Sequence, residues 1–352
     1  MKKNIIFIAD NNHYRIWPGK TYYDLITYVA RNSIQYNITI FWTDDAHDII
    51  AQAIEKFKPV LIVFFITGCI RQECAGLTDI FNKKIPVACA MLDMFFPYYG
   101  KTDYELPDAL IHIGKHKNIV SCYQNIFPNK VVTSFSSRFI NNVRFKDYNL
   151  DKKYDILIYG NRMYEYAFKK ENLPSIQEFI TYYEEHTGTK VEDDTLINFY
   201  YLRAKIENVL IKNQHKYNLK ILPKSGIYNA KITNEYLSML INQSKMTIAC
   251  TTLCDVMMHK YLEIAASKSV IVGNIPSDYR ELFEGNMIEI THTMSDNAII
   301  EKIDNALSDP EKLNSMSNRL YDKVCDEHNL TRAVSDFEDV FSEICEKVDK
   351  DT

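Results

Sequence analysis

Short unbroken apolar runs alternate along this chain with stretches whose apolar residues recur at helical spacing. The runs at 4–9, 38–42, 60–66, 87–91, 109–113 and 130–133 are interleaved with amphipathic stretches at 22–32, 46–57 and 74–82. Strands that are apolar on both faces and joined through helices predict a parallel sheet covered on both sides. The first 135 residues therefore predict one Rossmann-like domain. Polar residues thicken over 141–153, and the alternation restarts at Tyr154-Asp155-Ile156-Leu157-Ile158-Tyr159-Gly160. Runs at 218–222, 246–250, 270–272 and 287–290 extend a second Rossmann-like domain. The expected layout is α/β: an N-terminal domain over 1–145, a C-terminal domain over 146–330 and a final helix over 331–352. Segment 163–199, acidic at Glu184-Glu185 and Glu192-Asp193-Asp194, reads as an inserted helical piece over one rim. Val334, Phe337, Val340, Phe341 and Ile344 give the tail one apolar face, which the N-terminal domain can cover.

The segment 246–282 carries the most chemistry. A buried strand runs into a polar loop, then a helix of about three turns, then a second apolar strand ending in Gly273-Asn274-Ile275-Pro276. This is one βαβ step. In open parallel sheets ligands bind at the carboxyl ends of the strands, where helix N-termini offer amide donors and a positive dipole end. The loop and helix carry Thr251, Thr252, Asp255, His259, Lys260 and Glu263. Asp255, His259 and Glu263 stand four residues apart in turn, so one helical face is expected to present all three. Such a face suits a nucleotide diphosphate.

These residues also carry a resemblance. Asp255 and Glu263, separated by seven residues and followed by Ile264-Ala265-Ala266 and a Val270-Ile271-Val272 strand, look like the paired-carboxylate element of GT-B glycosyltransferases. Lys260-Tyr261-Leu262-Glu263-Ile264-Ala265-Ala266, with Pro276-Ser277-Asp278-Tyr279-Arg280-Glu281-Leu282 after it, resembles the C-terminal domain of CgeB-like, spore-maturation-type glycosyltransferases. Tyr201-Leu202-Arg203-Ala204-Lys205-Ile206 is similar to the Tyr-Pro-Leu-Arg helix start of that group, with Tyr201 in place of proline. The likeness covers 200–340 in sequence and is architectural over 1–150. It implies the GT-B arrangement, two Rossmann-like domains facing across a cleft, with the last helix crossing back to the first domain. One departure stands out: Ser267-Lys268-Ser269 occupies the turn where these enzymes usually have glycine.

Bulk properties narrow the function classes. With 352 residues, 46% hydrophobic and 25% charged, the chain has the make-up of a two-domain globular protein. A net charge of -5 argues against nucleic acid as the main partner. The N-terminal apolar run stops at Asp10 without a cleavage-like site, and 59–66 is too short to span a bilayer. A cytoplasmic location is expected, with room for peripheral membrane contact. Eight cysteines show neither a disulfide framework nor zinc spacing, and His112 and His116 have no third metal ligand nearby in sequence. Ten glycines and no Gly-x-Gly-x-x-Gly argue against a nicotinamide dehydrogenase.

Sugar transfer from a nucleotide sugar must neutralise two phosphates as the glycosidic bond breaks. A GT-B site without metal meets that demand with Arg, Lys and backbone amides. No metal or cofactor is expected, since no suitably placed Asp-x-Asp is present. The resemblance implies that Glu263 accepts hydrogen bonds from two ribose hydroxyls and that Asp255 lies near the donor sugar or phosphates; Asp255 is equally suited to an N-cap. His259, Lys260, Arg203 and Arg162 are candidate phosphate contacts, the arginines for bidentate binding, and Thr252 is a further donor-binding candidate. Lys224 and Tyr228, in a Pro/Gly turn, are candidates for the base. In the N-terminal domain His13 and Asp10 are base candidates or acceptor contacts, and Asp93 and Trp17 are further acceptor candidates.

The expected activity is transfer from a nucleoside-diphosphate sugar, a UDP sugar being favoured, to a glycan, protein or small-molecule acceptor. Retention is expected because paired carboxylates accompany mainly retaining GT-B enzymes. A nucleotide-sugar epimerase or hydrolase on the same fold, or a non-catalytic nucleotide-sugar-binding scaffold, remains open.

Overall fold

The computed structural model describes residues 2–11, 21–66, 74, 76–82, 84–91, 104–160, 173–188, 190–191, 200–222 and 232–348. Two compact units emerge: Met1–Arg138 with Lys170–Thr189 and Leu330–Thr352, and Phe139–Lys169 with Lys190–Asn329. The described chain is α/β, as the alternating pattern predicts, with one parallel sheet in each unit.

In the first unit the strands are β1 (Lys3–Ala9), β2 (Tyr36–Trp42), β3 (Leu61–Ile66), β4 (Val87–Met91), β5 (Ala109–His112) and β6 (Val131–Ser134). They pair in the order β2-β1-β3-β4-β5-β6, parallel throughout. β3 and β4 are buried at every position because both sheet faces are covered, whereas the edge strand β2 is mostly half-buried. Helices α1 (Thr21–Asn32), α2 (His47–Phe57) and α3 (Lys117–Ile126) connect these strands. Among the described residues of the expected helix over 74–82, a 3-10 turn forms at Thr78–Asn82. Within the segment read as an insertion, α4 (Leu173–Thr187) buries Phe179 and Tyr183, with the Phe179 ring 5.9 Å from Tyr123 of α3.

The second unit contains β7 (Tyr154–Ile158), β8 (Leu219–Ile221), β9 (Ser244–Ile248), β10 (Val270–Gly273) and β11 (Ile288–Glu289), in the order β11-β10-β9-β7-β8. Its helices are α5 (Tyr201–Lys212), α6 (Asn234–Asn242), α7 (Lys260–Ala266), α8 (Arg280–Phe283), α9 (Asp296–Leu307) and α10 (Pro310–Glu327). The chain then returns to the first unit as α11 (Leu330–Val348), whose apolar face packs there. Phe337 of α11 stacks on Phe135 at 3.9 Å between ring centroids. Glu338, 5% exposed, accepts from Ser33 Oγ at 2.6 Å and from the amides of Ile34 and Gln35 at 2.6 and 2.8 Å.

The turn with Ser267-Lys268-Ser269 shows how the missing glycine is accommodated. Lys268 takes φ +59, a left-handed conformation costing roughly 1–2 kcal/mol for a side-chain-bearing residue. Offsetting contacts surround it: Lys268 Nζ pairs with Asp147 at 2.8 Å, and Lys152 Nζ donates to the Lys268 carbonyl at 2.7 Å. Lys152 also donates to the carbonyls of Asn242 and Ser244, so the polar stretch after residue 141 is fastened to the second unit. Among the described residues no helix is long and apolar enough to cross a membrane. No disulfide joins the seven described cysteines.

Candidate functional site

At the carboxyl ends of β7 and β9, close packing between strands fixes the polar layer. A Cβ on Gly273 would overlap the Ala249 carbonyl oxygen, so only glycine lets the end of β10 lie this close to the residues after β9. The next residue, Asn274, then reaches across: its Oδ1 accepts from the Thr251 amide at 3.0 Å and its Nδ2 donates to Thr251 Oγ1. Tyr261 of α7 donates to the Asn274 carbonyl at 2.7 Å. Loop and helix start are thereby held as one piece.

The helix between β9 and β10 is shorter than expected. Cys254 and Asp255 adopt φ +57 and +58, two successive left-handed residues that an α-helix cannot contain, and α7 starts only at Lys260. Asp255 therefore does not share a helical face with His259 and Glu263, and it is not the N-cap of α7, a place taken by His259. Its Oδ2 instead accepts from the Ser277 amide at 2.6 Å, at the start of the 3-10 turn Ser277–Tyr279, and Asn274 Nδ2 stands 3.4 Å from its Oδ1. Burial pushes the Asp255 carboxyl up, against the opposing pull of the Ser277 hydrogen bonds. Thr252, half-buried in the same loop, donates its amide to the Val256 carbonyl.

Glu263 and Lys260 rise from the first turn of α7. Tyr159, just beyond β7, donates its hydroxyl to Glu263 Oε2 at 2.9 Å, and Lys260 Nζ donates to the Tyr159 carbonyl and lies 3.7 Å from the centre of the Tyr159 ring. Burial raises the Glu263 carboxyl, partly countered by the Tyr159 hydroxyl and the Lys260 charge. Burial, then the Glu263 charge, push the Tyr159 hydroxyl well above its ordinary value, so it stays protonated and keeps its donor role. Among the described residues Glu263 Oε1 accepts no hydrogen bond, and the residue is partly exposed.

Two cations meet at Gly160. That residue has φ +91, and a Cβ there would lie 2.9 Å from Lys260 Nζ and 3.4 Å from Arg203 Nη1. Arg203, in the first turn of α5, is 3% exposed and sits with its guanidinium 4.4 Å from the centre of the Tyr200 ring; Lys260 is 8% exposed. Cys250, after β9, lies close enough to both cations to feel their charge. Burial raises its thiol to about 11, although Arg203 and Lys260 pull the other way, so it is an uncharged wall rather than a nucleophile at neutral pH.

Arg203, Lys260 and Glu263, expected together, are thus brought together, with His259 beside them at the start of α7. Asp10 lies buried at the end of β1 in the first unit, its amide bonded to the Phe65 carbonyl. His13, Trp17, Asp93, Arg162, Lys224 and Tyr228 lie outside the described residues. Sequence reasoning passed over Tyr159, Cys250 and Asn274 as site residues. Tyr159 lies in the last two residues of the predicted strand at 154–160 and Asn274 just after the run at 270–272, and a strand end was the available signal.

Residues 211–339 match the family model described as glycosyl transferase-like. No curated protein matches the chain in sequence. Among solved structures, sucrose-phosphate synthase from Thermosynechococcus elongatus superimposes with a TM-score of 0.61 at 10% identity, covering 97% of this chain and 99% of that one. HepE of Anabaena, in complex with UDP and glucose, gives 0.57 at 9% identity over 97% and 100%. A glycosyltransferase from Rickettsia africae gives 0.52 at 11% over 97% and 98%. The fold is that of GT-B glycosyltransferases.

Proposed function

We propose that this protein transfers a sugar from a UDP sugar to a glycan, protein or small-molecule acceptor, without a bound metal and with retention at the anomeric carbon. The observation that carries this reading is the cluster at the carboxyl edge of the second sheet. There a carboxylate has one oxygen fixed by Tyr159, and two nearly buried cations converge on Gly160. Glu263 Oε1 is available to ribose hydroxyls, while Lys260 and Arg203 supply positive charge for the departing diphosphate in a pocket where burial strengthens the attraction. The glycosyl transferase-like match over 211–339 includes α7, and the neighbour HepE holds UDP and glucose. In this reading Asp255 positions the loop through Ser277 and Asn274 instead of touching the reacting atoms. His259, Thr252, Arg162, Lys224 and Tyr228 complete donor binding. Acceptor contacts fall to Asp10, His13, Trp17 and Asp93, and the reaction takes place in the cytoplasm. Retention rests on the resemblance of the Asp255 and Glu263 element.

Calorimetry with UDP, GDP, ADP, TDP and CDP and their common sugars, with and without magnesium, tests the donor. Selective binding of one uridine nucleotide irrespective of magnesium is the expected result. Equal affinity for all five, or none, sinks the reading. Product analysis without acceptor separates the chemistry: a sugar that changes configuration while still attached to the nucleotide marks an epimerase instead.

A further inference from the structure

A second polar cluster lies in the first unit, apart from the residues used above. His112 ends β5, is 0% exposed, and among the described residues has no hydrogen-bond partner on either ring nitrogen. Its ring meets the ring of His116 edge-on at 4.7 Å between centroids. His116, 2% exposed, is the N-cap residue of α3, a ten-residue helix with no acidic residue in its first turn. Arg138, 4% exposed, donates Nη1 to the Tyr22 hydroxyl at 2.9 Å. It stands close enough to lower the readiness of both imidazoles to take a proton, after the larger effect of burial.

Every tautomer of an imidazole carries an N–H donor, and leaving a donor buried and unsatisfied costs about 1–3 kcal/mol. A cation does not relieve that cost here: the neighbouring guanidinium repels it, and the described residues offer no group of three His, Cys, Asp or Glu side chains for a metal. An oxyanion relieves it, because it accepts from imidazole and guanidinium donors and is favoured at a helix N-terminus. We propose that His112, His116, Arg138 and the start of α3 form an oxyanion site for phosphate, either free or carried on an acceptor, at the carboxyl end of β5.

The test is titration of the full-length, nitrogen-15-labelled protein with inorganic phosphate and, separately, with glucose 6-phosphate, following the imidazole nitrogens by NMR. Saturable movement of the His112 and His116 signals is expected with phosphate. Arg138→Gln should weaken it about tenfold, the scale of one charge-assisted contact. Arg203→Gln, in the second unit, should leave it intact. Tighter binding of the sugar phosphate assigns the site to a phosphorylated acceptor, and equal binding assigns it to free phosphate. Imidazole signals that stay still at high phosphate overturn the proposal, as does a folded Arg138→Gln variant that binds like the parent. Should that variant not fold, the imidazole signals of the parent protein decide alone.

Discussion

Glu338 and Glu263 are both glutamates drawn out of water, yet their surroundings give them opposite work. Glu338, on α11, has one oxygen saturated by three donors from the turn between α1 and β2. Glu263, on α7, has one oxygen held by a single tyrosine hydroxyl and the other without a hydrogen bond among the described residues. A buried carboxylate whose donors all come from the protein fastens two pieces of chain together. In the proposed reading, one that is oriented but incompletely satisfied is prepared for a ligand, and its raised pKa records the burial cost that a ligand's donors would offset.

The contrast is sharpest in substitution. Glu338→Ala leaves three donors facing a void and should cost about 2–4 kcal/mol of unfolding free energy, read by denaturant melts of the first unit, with nucleotide affinity unchanged in the folded protein. Glu263→Ala should reverse that pattern, weakening UDP-sugar binding by about 1.5–3 kcal/mol with little loss of stability. If Glu338→Ala loses affinity at saturating stability, or Glu263→Ala melts as early as Glu338→Ala, the division between anchor and ligand group fails. Tyr159→Phe removes the hydroxyl that aims Glu263 and should weaken binding by about 1 kcal/mol, measured by the same calorimetry.

The smallest effect concerns pH. The folded pKa of Glu263 is raised, so the folded state takes up its proton more readily than the unfolded state does. Wild-type stability therefore carries a penalty above the folded pKa, and that penalty fades as pH falls through it towards the ordinary glutamate value. Glu263→Gln should accordingly melt slightly later than wild type at neutral pH, with the advantage vanishing in acid. A gain that grows on acidification would reverse the assigned sign and remove Glu263 from its desolvated setting.

How far the sequence could be read differs between these regions. Unbroken apolar runs announced both sheets, because a strand covered on two faces needs apolar side chains at successive positions. Lys260 and Glu263 were candidates from the loop-to-helix pattern, together with Thr252, Asp255 and His259, and Arg203 was a separate candidate from the helix start at 201–206. The expected single face of Asp255, His259 and Glu263 failed for a local reason: two left-handed residues, Cys254 and Asp255, interrupt the spacing, and periodicity does not register backbone handedness. Nor could spacing show that Asp255 would be taken by the Ser277 amide, since that contact depends on where the chain goes after β10.

By itself, then, the sequence determined the alternation of strands and helices, the two-sheet α/β architecture and the residue types that the proposed reading assigns to phosphate and ribose. Those features follow from side-chain hydrophobicity and short-range spacing. Tertiary structure alone decided that Tyr159 would orient Glu263, that Arg203 and Lys260 would meet at Gly160, and that Glu338 would clasp the turn before β2. Each of these joins residues far apart in the chain, and their meeting is set by sheet order, strand-end packing and the return of the last helix, none of which a local pattern encodes.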